Sequence, residues 1–346
     1  MRTSTYFLSF LSGMAAIGAV LVLLAPAVAM AQAVPADWTV PRTPDGHPDL
    51  QGVWANNSAT PMQRPEAWAD KEQLTDEELS ELVAAAAEAS DPGQDALFGD
   101  QLVLAAIART QATSYDPSTG NYNGFWIADR PISNRTSLVI DPPNGRIPAM
   151  TPEAQARTAE QFADPSGGAF DSYTSRPLPE RCVSYGMPNL QAGYNSYYHI
   201  AQANDYVGIV QEMIHDARAI PIDGRPHPPE SIRLLHGDSV GHWEGDTLVV
   251  ETTNYKARGG FLPTTERLAV TERFTRVGPE TLLHRITFDD PSTWTQPWTL
   301  EVPLQLSPDA IFEYACHEGN YGMEGMLAGE RVKEIEAASA PTKGSE

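Results

Sequence analysis

The sequence predicts an α+β fold, in which an N-terminal region of helices and loops packs on a C-terminal antiparallel β-meander. Helix signals fall in the first half of the chain, apart from one at the C-terminus. From residue 196 onward, short stretches of alternating apolar and polar residues follow one another with tight turns between them. Short turns join antiparallel neighbours, and a long meander tends to curl because closure removes exposed edges. We therefore expect a barrel-like domain of the lipocalin or calycin type.

The first 33 residues have the pattern of a secretory signal peptide. Arg2 precedes the apolar run Met14–Leu24, which is shorter than the roughly 20 residues that a membrane span needs. The small residues at 29–31 and 31–33 fit two A-x-A cleavage sites, and an uncleaved N-terminal anchor is the alternative. Cleavage predicts a periplasmic or secreted protein that makes no further contact with the membrane.

The chain divides into four predicted parts: the signal peptide 1–33, the helical and loop region 34–195, the barrel-like domain 196–322, and a C-terminal helix and tail 323–346. Residues 39–54 are rich in proline and predict an extended lead-in that docks through Leu50, Val53 and Trp54. A final helix over about 323–337 is expected to cover one end of the barrel.

Three helices and one hairpin are predicted in the N-terminal region. Residues 74–89 begin with Thr75 and Glu78 at capping-box spacing. A second helix is expected over 94–108, and a third over 151–163, where proline follows the threonine that caps it. Residues 136–150 predict a hairpin with its turn at Pro142–Gly145.

About nine strands are predicted in the barrel-like domain, and most are joined by short turns. The expected strands are 197–203, 206–213, 216–223, 239–243, 246–254, 268–277, 281–289, 297–306 and 310–316.

Composition excludes several classes of function. The formal charge is −22, from 45 acidic and 23 basic residues, and such a surface repels nucleic acid. The chain contains no phosphate-binding loop, dinucleotide fingerprint, haem-attachment motif, H-E-x-x-H or G-x-S-x-G. We therefore expect no organic cofactor and no partner nucleic acid, while oligomeric state stays open.

The two cysteines, Cys182 and Cys316, predict a disulfide, because an exported protein meets an oxidising compartment. This bond closes a loop of roughly 135 residues, worth about 4–5 kcal/mol in the chain-entropy model. A nucleophilic Cys316 is the less favoured alternative, since the adjacent His317 would point to the opposite face of a strand. Two cysteines cannot form a four-thiolate zinc site.

Glu272 and His284 lie on the apolar faces of two neighbouring predicted strands. The three-residue turn Gly278–Glu280 sets Phe274 opposite His284 and Glu272 opposite Ile286. Glu272 and His284 then become diagonal neighbours, about 7–8 Å apart at Cα. A buried carboxylate beside an imidazole indicates either acid–base chemistry or a structural ion pair.

A second polar cluster lies between residues 211 and 227, and its main members are Glu212, His215, Asp216 and Arg218. Glu212 and His215 have the Glu-x-x-His spacing of helical di-metal sites, although they fall among predicted strands. Metal binding, acid–base chemistry and a solvated turn all stay open for this cluster. His236 and His242 are predicted to be surface residues rather than ligands.

The favoured function is a periplasmic enzyme without an organic cofactor, of the lyase, isomerase or hydrolase class. Acid–base chemistry would act on a small apolar or aromatic molecule inside the β domain, where aromatic residues are plentiful. The candidate catalytic residues are Glu212, His215, Asp216, Arg218, Glu272, His284, His317 and Glu318. The alternatives are a lipocalin-like binding protein for a lipid or pigment, and a metal-dependent enzyme. The metal alternative would use Glu212, His215, His317 and Glu318 as ligands.

Five stretches together resemble a large family of exported bacterial proteins, most of them uncharacterised. They are TPDGHPDLQGVW, RTSLVIDPPNGRIPAMT, EMIHDARAIPIDGRPH, WEGDTLVVETTN and EYACHEGNYG. The resemblance spans nearly the whole mature chain and implies an exported location. It implies no particular activity and no catalytic residues.

Overall fold

The computed structural model describes residues 37–90, 96–97, 99–110, 127–163, 170–190, 193–256 and 262–339. The predicted signal peptide lies outside these ranges. The described helices are α1 (Asp76–Ala89), α2 (Gln101–Ala108), α3 (Pro152–Ala163) and α4 (Tyr321–Ser339). The described strands are β1 (Gly52–Ala55), β2 (Val139–Asp141), β3 (Tyr197–Gln202), β4 (Tyr206–Gln211), β5 (Ala217–Pro221), β6 (Asp238–Glu244), β7 (Thr247–Thr253), β8 (Ala269–Arg276), β9 (Thr281–Asp289) and β10 (Trp298–Ser307).

The strands form one antiparallel sheet that curls into a nearly closed barrel, so the predicted fold class is confirmed. Nine strands follow one another in the order β5-β4-β3-β1-β10-β9-β8-β7-β6, and β2 pairs with β10 beside this path. The two end strands approach each other at Gly241 on β6. A Cβ atom there would lie only 3.0 Å from the side chain of Ile222 and 3.1 Å from that of Ile220. Glycine at this position therefore permits the close approach of the sheet's two ends.

The two end strands, β5 and β6, run in the same direction. Each neighbouring pair along the path of nine strands is antiparallel, so the first and last strands are parallel. Parallel neighbours cannot be joined by a tight hairpin and need a long crossover. Residues 222–237, which include three prolines, form that crossover. We call the boundary between β5 and β6, where the described strands do not pair, the seam.

The N-terminal region contributes strands to the sheet, which the division at residue 195 did not foresee. Strand β1 lies between β3 and β10, with Trp54 paired to Tyr198 on one side and Leu306 on the other. Trp54 is fully buried, and its indole nitrogen donates to the carbonyl of Leu50. The end of the predicted lead-in is therefore part of a strand inside the sheet, between β3 and β10.

The predicted hairpin over 136–150 is wrong. Its turn exists, since the amide of Gly145 donates to the carbonyl of Pro142, but β2 pairs with β10 instead of with the residues after the turn. The predicted strand 310–316 is also wrong, because this segment is irregular. Strand β10 is already paired with β9 on one side and with β1 and β2 on the other, so it offers no edge to a following strand.

Local signals predicted the other hairpins well. Strands β3 and β4, β6 and β7, and β8 and β9 pair as expected across their short turns. In the last pair, Glu272 lies opposite Ile286 and Phe274 opposite His284, which confirms the predicted register. Apolar side chains from these strands fill the barrel, and helices α1 and α2 enclose a second, smaller apolar cluster.

Helix α1 has the predicted capping box between Thr75 and Glu78. Helix α3 begins where predicted, with the hydroxyl of Thr151 accepting from the amide of Ala154. The regular part of α2 begins only at Gln101, and Gln94 lies outside the described residues. Helix α4 buries none of its described residues, so the expectation that it covers one end of the barrel is wrong.

The predicted disulfide between Cys182 and Cys316 is confirmed, with a sulfur–sulfur distance of 2.05 Å. It ties the loop before β3 to the irregular segment after β10. Among the described helices, none combines the length and the apolar composition needed to cross a membrane.

Candidate functional site

A cavity of about 640 Å³ lies between the barrel and the helical and loop region. We call it the main cavity. Its apolar wall includes Leu138, Met187, Leu268, Val270 and Phe288. Val270 of β8 pairs with Phe288 of β9. The pair of Glu272 and Ile286 follows on the same inward face, two residues further along each strand. The floor of the cavity therefore lies next to the charged residues inside the barrel.

Tyr255 is the buried polar residue of this wall. It follows Asn254, which ends β7 in a left-handed conformation with φ of 57° and turns the chain. Tyr255 is only 5% exposed, and its hydroxyl, near Thr252, makes no hydrogen bond of normal geometry within the described part of the chain. Burial raises the pKa of Tyr255, so the hydroxyl keeps its proton and is available as a donor.

The rim of the main cavity on the helical side is more polar. The guanidinium of Arg130 donates to the carbonyls of Leu97 and Gly99, and Asp100 accepts from the amide of Met62. Burial raises the pKa of Asp100 and lowers that of Arg130. Lys256 also borders the cavity and is exposed. A ligand would thus meet an apolar wall on the barrel side and polar groups on the other.

Inside the barrel, Glu272, Arg218 and His284 form a fully buried cluster, which we call the inner cluster. Arg218 Nη2 lies 2.9 Å from Glu272 Oε1, while Nη1 donates to Oε2. The ring nitrogen Nε2 of His284 lies 2.9 Å from the same Oε1. The imidazole also stacks on Phe274, with ring centroids 4.2 Å apart. The predicted contact between Glu272 and His284 is therefore confirmed, and Arg218 from the far side of the barrel joins it.

Both oxygens of the Glu272 carboxylate are hydrogen-bonded within the inner cluster. Burial alone would raise the pKa of Glu272, but the charge of Arg218 and the hydrogen bonds from His284 and Arg218 outweigh it and lower the pKa to about 2. Burial lowers the pKa of His284, which leaves a neutral ring that donates through Nε2. A carboxylate with both oxygens occupied is a poor proton acceptor near pH 7. The geometry favours the structural ion pair over acid–base chemistry by these residues.

Asp216 forms a second buried cluster, which we call the outer cluster. Its Oδ2 accepts from the hydroxyl of Ser184 and the amide of Tyr185, each at 3.0 Å. Its Oδ1 lies 3.1 Å from Nε2 of His236. The predicted surface residue His236 is thus a partner of Asp216, and its side chain is 21% exposed. The pair has the arrangement of a general base, with a carboxylate orienting an imidazole.

The turn between β4 and β5 determines which side chains reach the interior. Ile214 and His215 both adopt left-handed conformations, with φ of 55° and 45°, and such values are unusual for a β-branched residue. The turn buries Glu212 and Asp216 and leaves His215 exposed. Backbone strain of this kind is a recognised accompaniment of functional sites.

Glu212 accepts from the amide of Phe312 through Oε1, whereas Oε2 has no partner among the described residues. Burial raises the pKa of Glu212. His317 and Glu318 are exposed in the turn that follows Cys316. Within the described ranges, no three His, Cys, Asp or Glu side chains are arranged to hold a metal, so the four predicted metal ligands do not converge.

A second cavity, of about 570 Å³, opens at the seam, and we call it the seam groove. Arg218 and Ala219 of β5 line one side, Asp238 of β6 lines another, and the crossover contributes Arg225 and His236. The groove therefore borders both the inner and the outer cluster.

Sequence reasoning did not identify Tyr255, His236 or Ser184 as site residues. A tyrosine directly after the strand-ending Asn254 was the one available signal for Tyr255. No local pattern marked His236, because its partner Asp216 lies on another element and is reached only when the crossover folds back.

Comparison with family models, curated proteins and solved structures found no match. The resemblance to a family of exported bacterial proteins therefore stays a prediction. The main cavity and the seam groove are the features that point to a function.

Proposed function

We propose that the protein is an exported binding protein that holds a small, largely apolar or aromatic molecule in the main cavity. One observation carries the proposal: a cavity of about 640 Å³ combines an apolar wall with a buried tyrosine hydroxyl. Ligand sites are typically cavities of roughly 300–1,000 Å³ with apolar linings and a few oriented polar groups.

The wall supplies affinity and Tyr255 supplies orientation. Removing about 200 Å² of apolar ligand surface from water contributes roughly 5 kcal/mol before the costs of association. A ligand carbonyl or ether oxygen that accepts from Tyr255 satisfies a donor that is otherwise unpaired in the described structure. The inner cluster next to this wall keeps β5, β8 and β9 in place through its hydrogen bonds.

Export rests on the predicted signal peptide and is consistent with the disulfide, since such bonds persist in oxidising compartments. Intact mass of the protein recovered from the periplasm tests it. A mass that lacks the first 31–33 residues supports cleavage, whereas the full-length mass contradicts it.

An acid–base enzyme is the second candidate, and the contact between Asp216 and His236 favours it. The hydrolysis, elimination, isomerisation or cyclisation considered for this chain would then use Asp216 and His236 rather than Glu272 and His284. Loss of turnover in Asp216→Asn, with ligand binding in the main cavity retained, would favour this candidate.

The experiment for the main cavity uses two fluorescent probes. Prodan is an aromatic ketone with an acceptor for Tyr255, whereas N-phenyl-naphthylamine has no carbonyl. We expect both probes to bind with enhanced fluorescence. Tyr255→Phe should lower the affinity for prodan about tenfold and leave the affinity for the naphthylamine unchanged.

A matched pair of tryptophan variants tests the location. Leu262→Trp adds bulk to the wall of the main cavity, and Leu306→Trp adds it at another half-buried leucine, in β10. Binding of both probes should fall in the first variant and persist in the second. Absence of saturable binding, or equal binding to the two variants, would overturn the proposal.

A further inference from the structure

Two residues that line the seam groove each carry a buried nitrogen without a hydrogen-bond partner among the described residues. One is Nε of Arg218, in a side chain that is 5% exposed, and the other is Nδ1 of His236. Both residues line the groove. Buried polar atoms are nearly always hydrogen-bonded in folded proteins, so two open positions at one groove indicate a ligand.

The chemical roles of these two nitrogens follow from their neighbours. Each terminal nitrogen of Arg218 donates one hydrogen bond to Glu272, so Nε is the guanidinium nitrogen that has no partner among the described residues. Oδ1 of Asp216 lies 3.1 Å from Nε2 of His236, and because a carboxylate has no proton to donate, we assign the ring proton to Nε2. The unprotonated Nδ1 is therefore an acceptor. The groove offers one donor and one acceptor.

We propose that the seam groove is a binding site for a small neutral molecule that carries an amide group. The amide carbonyl accepts from Nε–H of Arg218, and the amide N–H donates to Nδ1 of His236. Among simple functional groups, an amide presents an acceptor and a donor side by side and carries no charge.

Charge argues against an ionic ligand. The two arginines that border the groove are already paired, Arg218 with Glu272 and Arg225 with Asp223. Asp216 and Asp238 also lie at the groove or beside it, and their carboxylates repel an anion. Each of these two acids has a histidine partner, His236 and His227, so neither offers a free carboxylate to a cation.

The backbone at the seam adds to the same preference. Neither β5 nor β6 pairs with a second strand on its outer edge within the described sheet. Their amide and carbonyl groups are thus suited to further hydrogen bonds with the same amide ligand, as in strand addition to a sheet edge. This site is separate from the main cavity, and its occupation does not depend on the proposed binding function or on turnover.

The test is a titration of the full chain with acetamide, followed by nuclear magnetic resonance of the Arg218 Nε–H group and the His236 ring nitrogens. N,N-dimethylacetamide is the control ligand, because it keeps the carbonyl and lacks the N–H donor. We expect saturable shifts of both groups with acetamide and affinity about tenfold weaker for the control ligand.

Two histidine variants locate the acceptor. His236→Phe removes the acceptor in the groove and should lower the affinity for acetamide about tenfold. His242→Phe replaces an exposed histidine of β6 and should leave the affinity unchanged. A groove filled only by water gives no saturable shift, and that result would overturn the proposal. Equal affinity for the two ligands, or equal loss in the two variants, would overturn it too.

Discussion

The inner and outer clusters are both built around a buried acid, yet their hydrogen bonding differs. Glu272 accepts from Arg218 and His284 through both oxygens, and no part of the carboxylate is left for a ligand. Asp216 is equally well bonded, but its partner His236 keeps an open nitrogen toward the seam groove. Both acids are thus fully bonded, and the open positions lie on their partners at the seam groove, Nε of Arg218 and Nδ1 of His236.

This difference shows where to look for function. A buried carboxylate whose two oxygens are both hydrogen-bonded holds strands together and is a poor proton acceptor for a substrate. A side chain that keeps a buried nitrogen without a partner can still bind a ligand. The predicted catalytic pair Glu272 and His284 belongs to the first kind, and His236, which was predicted to be a surface residue, belongs to the second.

The largest expected effect is that of Glu272→Gln on stability. Removing the carboxylate leaves the guanidinium of Arg218 buried without its counter-charge, so the free energy of unfolding should fall by about 3–5 kcal/mol. Asp216→Asn should cost only about 1–3 kcal/mol, because it weakens hydrogen bonds without isolating a charge. Urea denaturation of both variants measures the comparison.

A double variant shows whether the loss of stability comes from the unpaired charge of Arg218 or from the lost hydrogen bonds. Replacing both partners, as Arg218→Met with Glu272→Leu, should recover much of the loss, since no unpaired charge remains buried. If the double variant is as unstable as Glu272→Gln, the inner cluster stabilises the barrel by its specific hydrogen bonds instead.

Removal of the disulfide should have the next largest effect. Disulfides typically contribute about 2–4 kcal/mol, which is less than the chain-entropy model gives for Cys182 and Cys316, 134 residues apart in sequence. In the Cys182→Ser/Cys316→Ser variant, amide exchange at Tyr185, next to Asp216, should accelerate. Exchange in β8 and β9 around the inner cluster should not, and uniform acceleration would show that the disulfide supports the whole barrel.

Acid should weaken the protein through the inner cluster. The folded-state pKa of Glu272 is about 2, below its usual 4.5, so its stabilisation is present above pH 4.5 and is lost as the pH falls toward 2. The loss amounts to roughly 3 kcal/mol. Glu212 acts in the opposite direction, because burial raises its pKa and favours the protonated form.

Urea denaturation across this pH range measures the effect. The double variant that lacks Arg218 and Glu272 serves as the control and should show a shallower loss between pH 4.5 and 2. An unchanged slope would assign the acid sensitivity to other carboxylates.

The smallest predicted effect concerns the support of Asp216. Ser184→Ala removes one hydrogen bond to its carboxylate and should cost about 1 kcal/mol, because the oxygen is buried. Ser80→Ala, on the exposed face of α1, should be nearly neutral. If both variants lose a similar amount of stability, Gln211 or a water molecule replaces the hydrogen bond that Ser184 donates to Asp216.

Part of the inner cluster could be predicted from the sequence, because Glu272 and His284 lie in one hairpin. Their strands are joined by a three-residue turn, and its length determines which residues face each other. Arg218 could not be assigned to the pair, since it reaches Glu272 only after β5 has curled around to the other side of the barrel. The wrong prediction of a strand at 310–316 has a similar cause. These residues have the pattern of a strand, but β10 offers no free edge with which they could pair.

The sequence by itself determined three hairpins of the barrel, the register between β8 and β9, the capped starts of α1 and α3, and the pairing of the two cysteines. These features depend on residues that are close in the chain or, for the disulfide, on the presence of two cysteines in the sequence. Only the tertiary structure decided that β1 enters the sheet, that β5 and β6 meet as parallel neighbours, and that His236 contacts Asp216. Each of these is a contact between residues far apart in sequence, and it forms only when the whole sheet closes on a shared core.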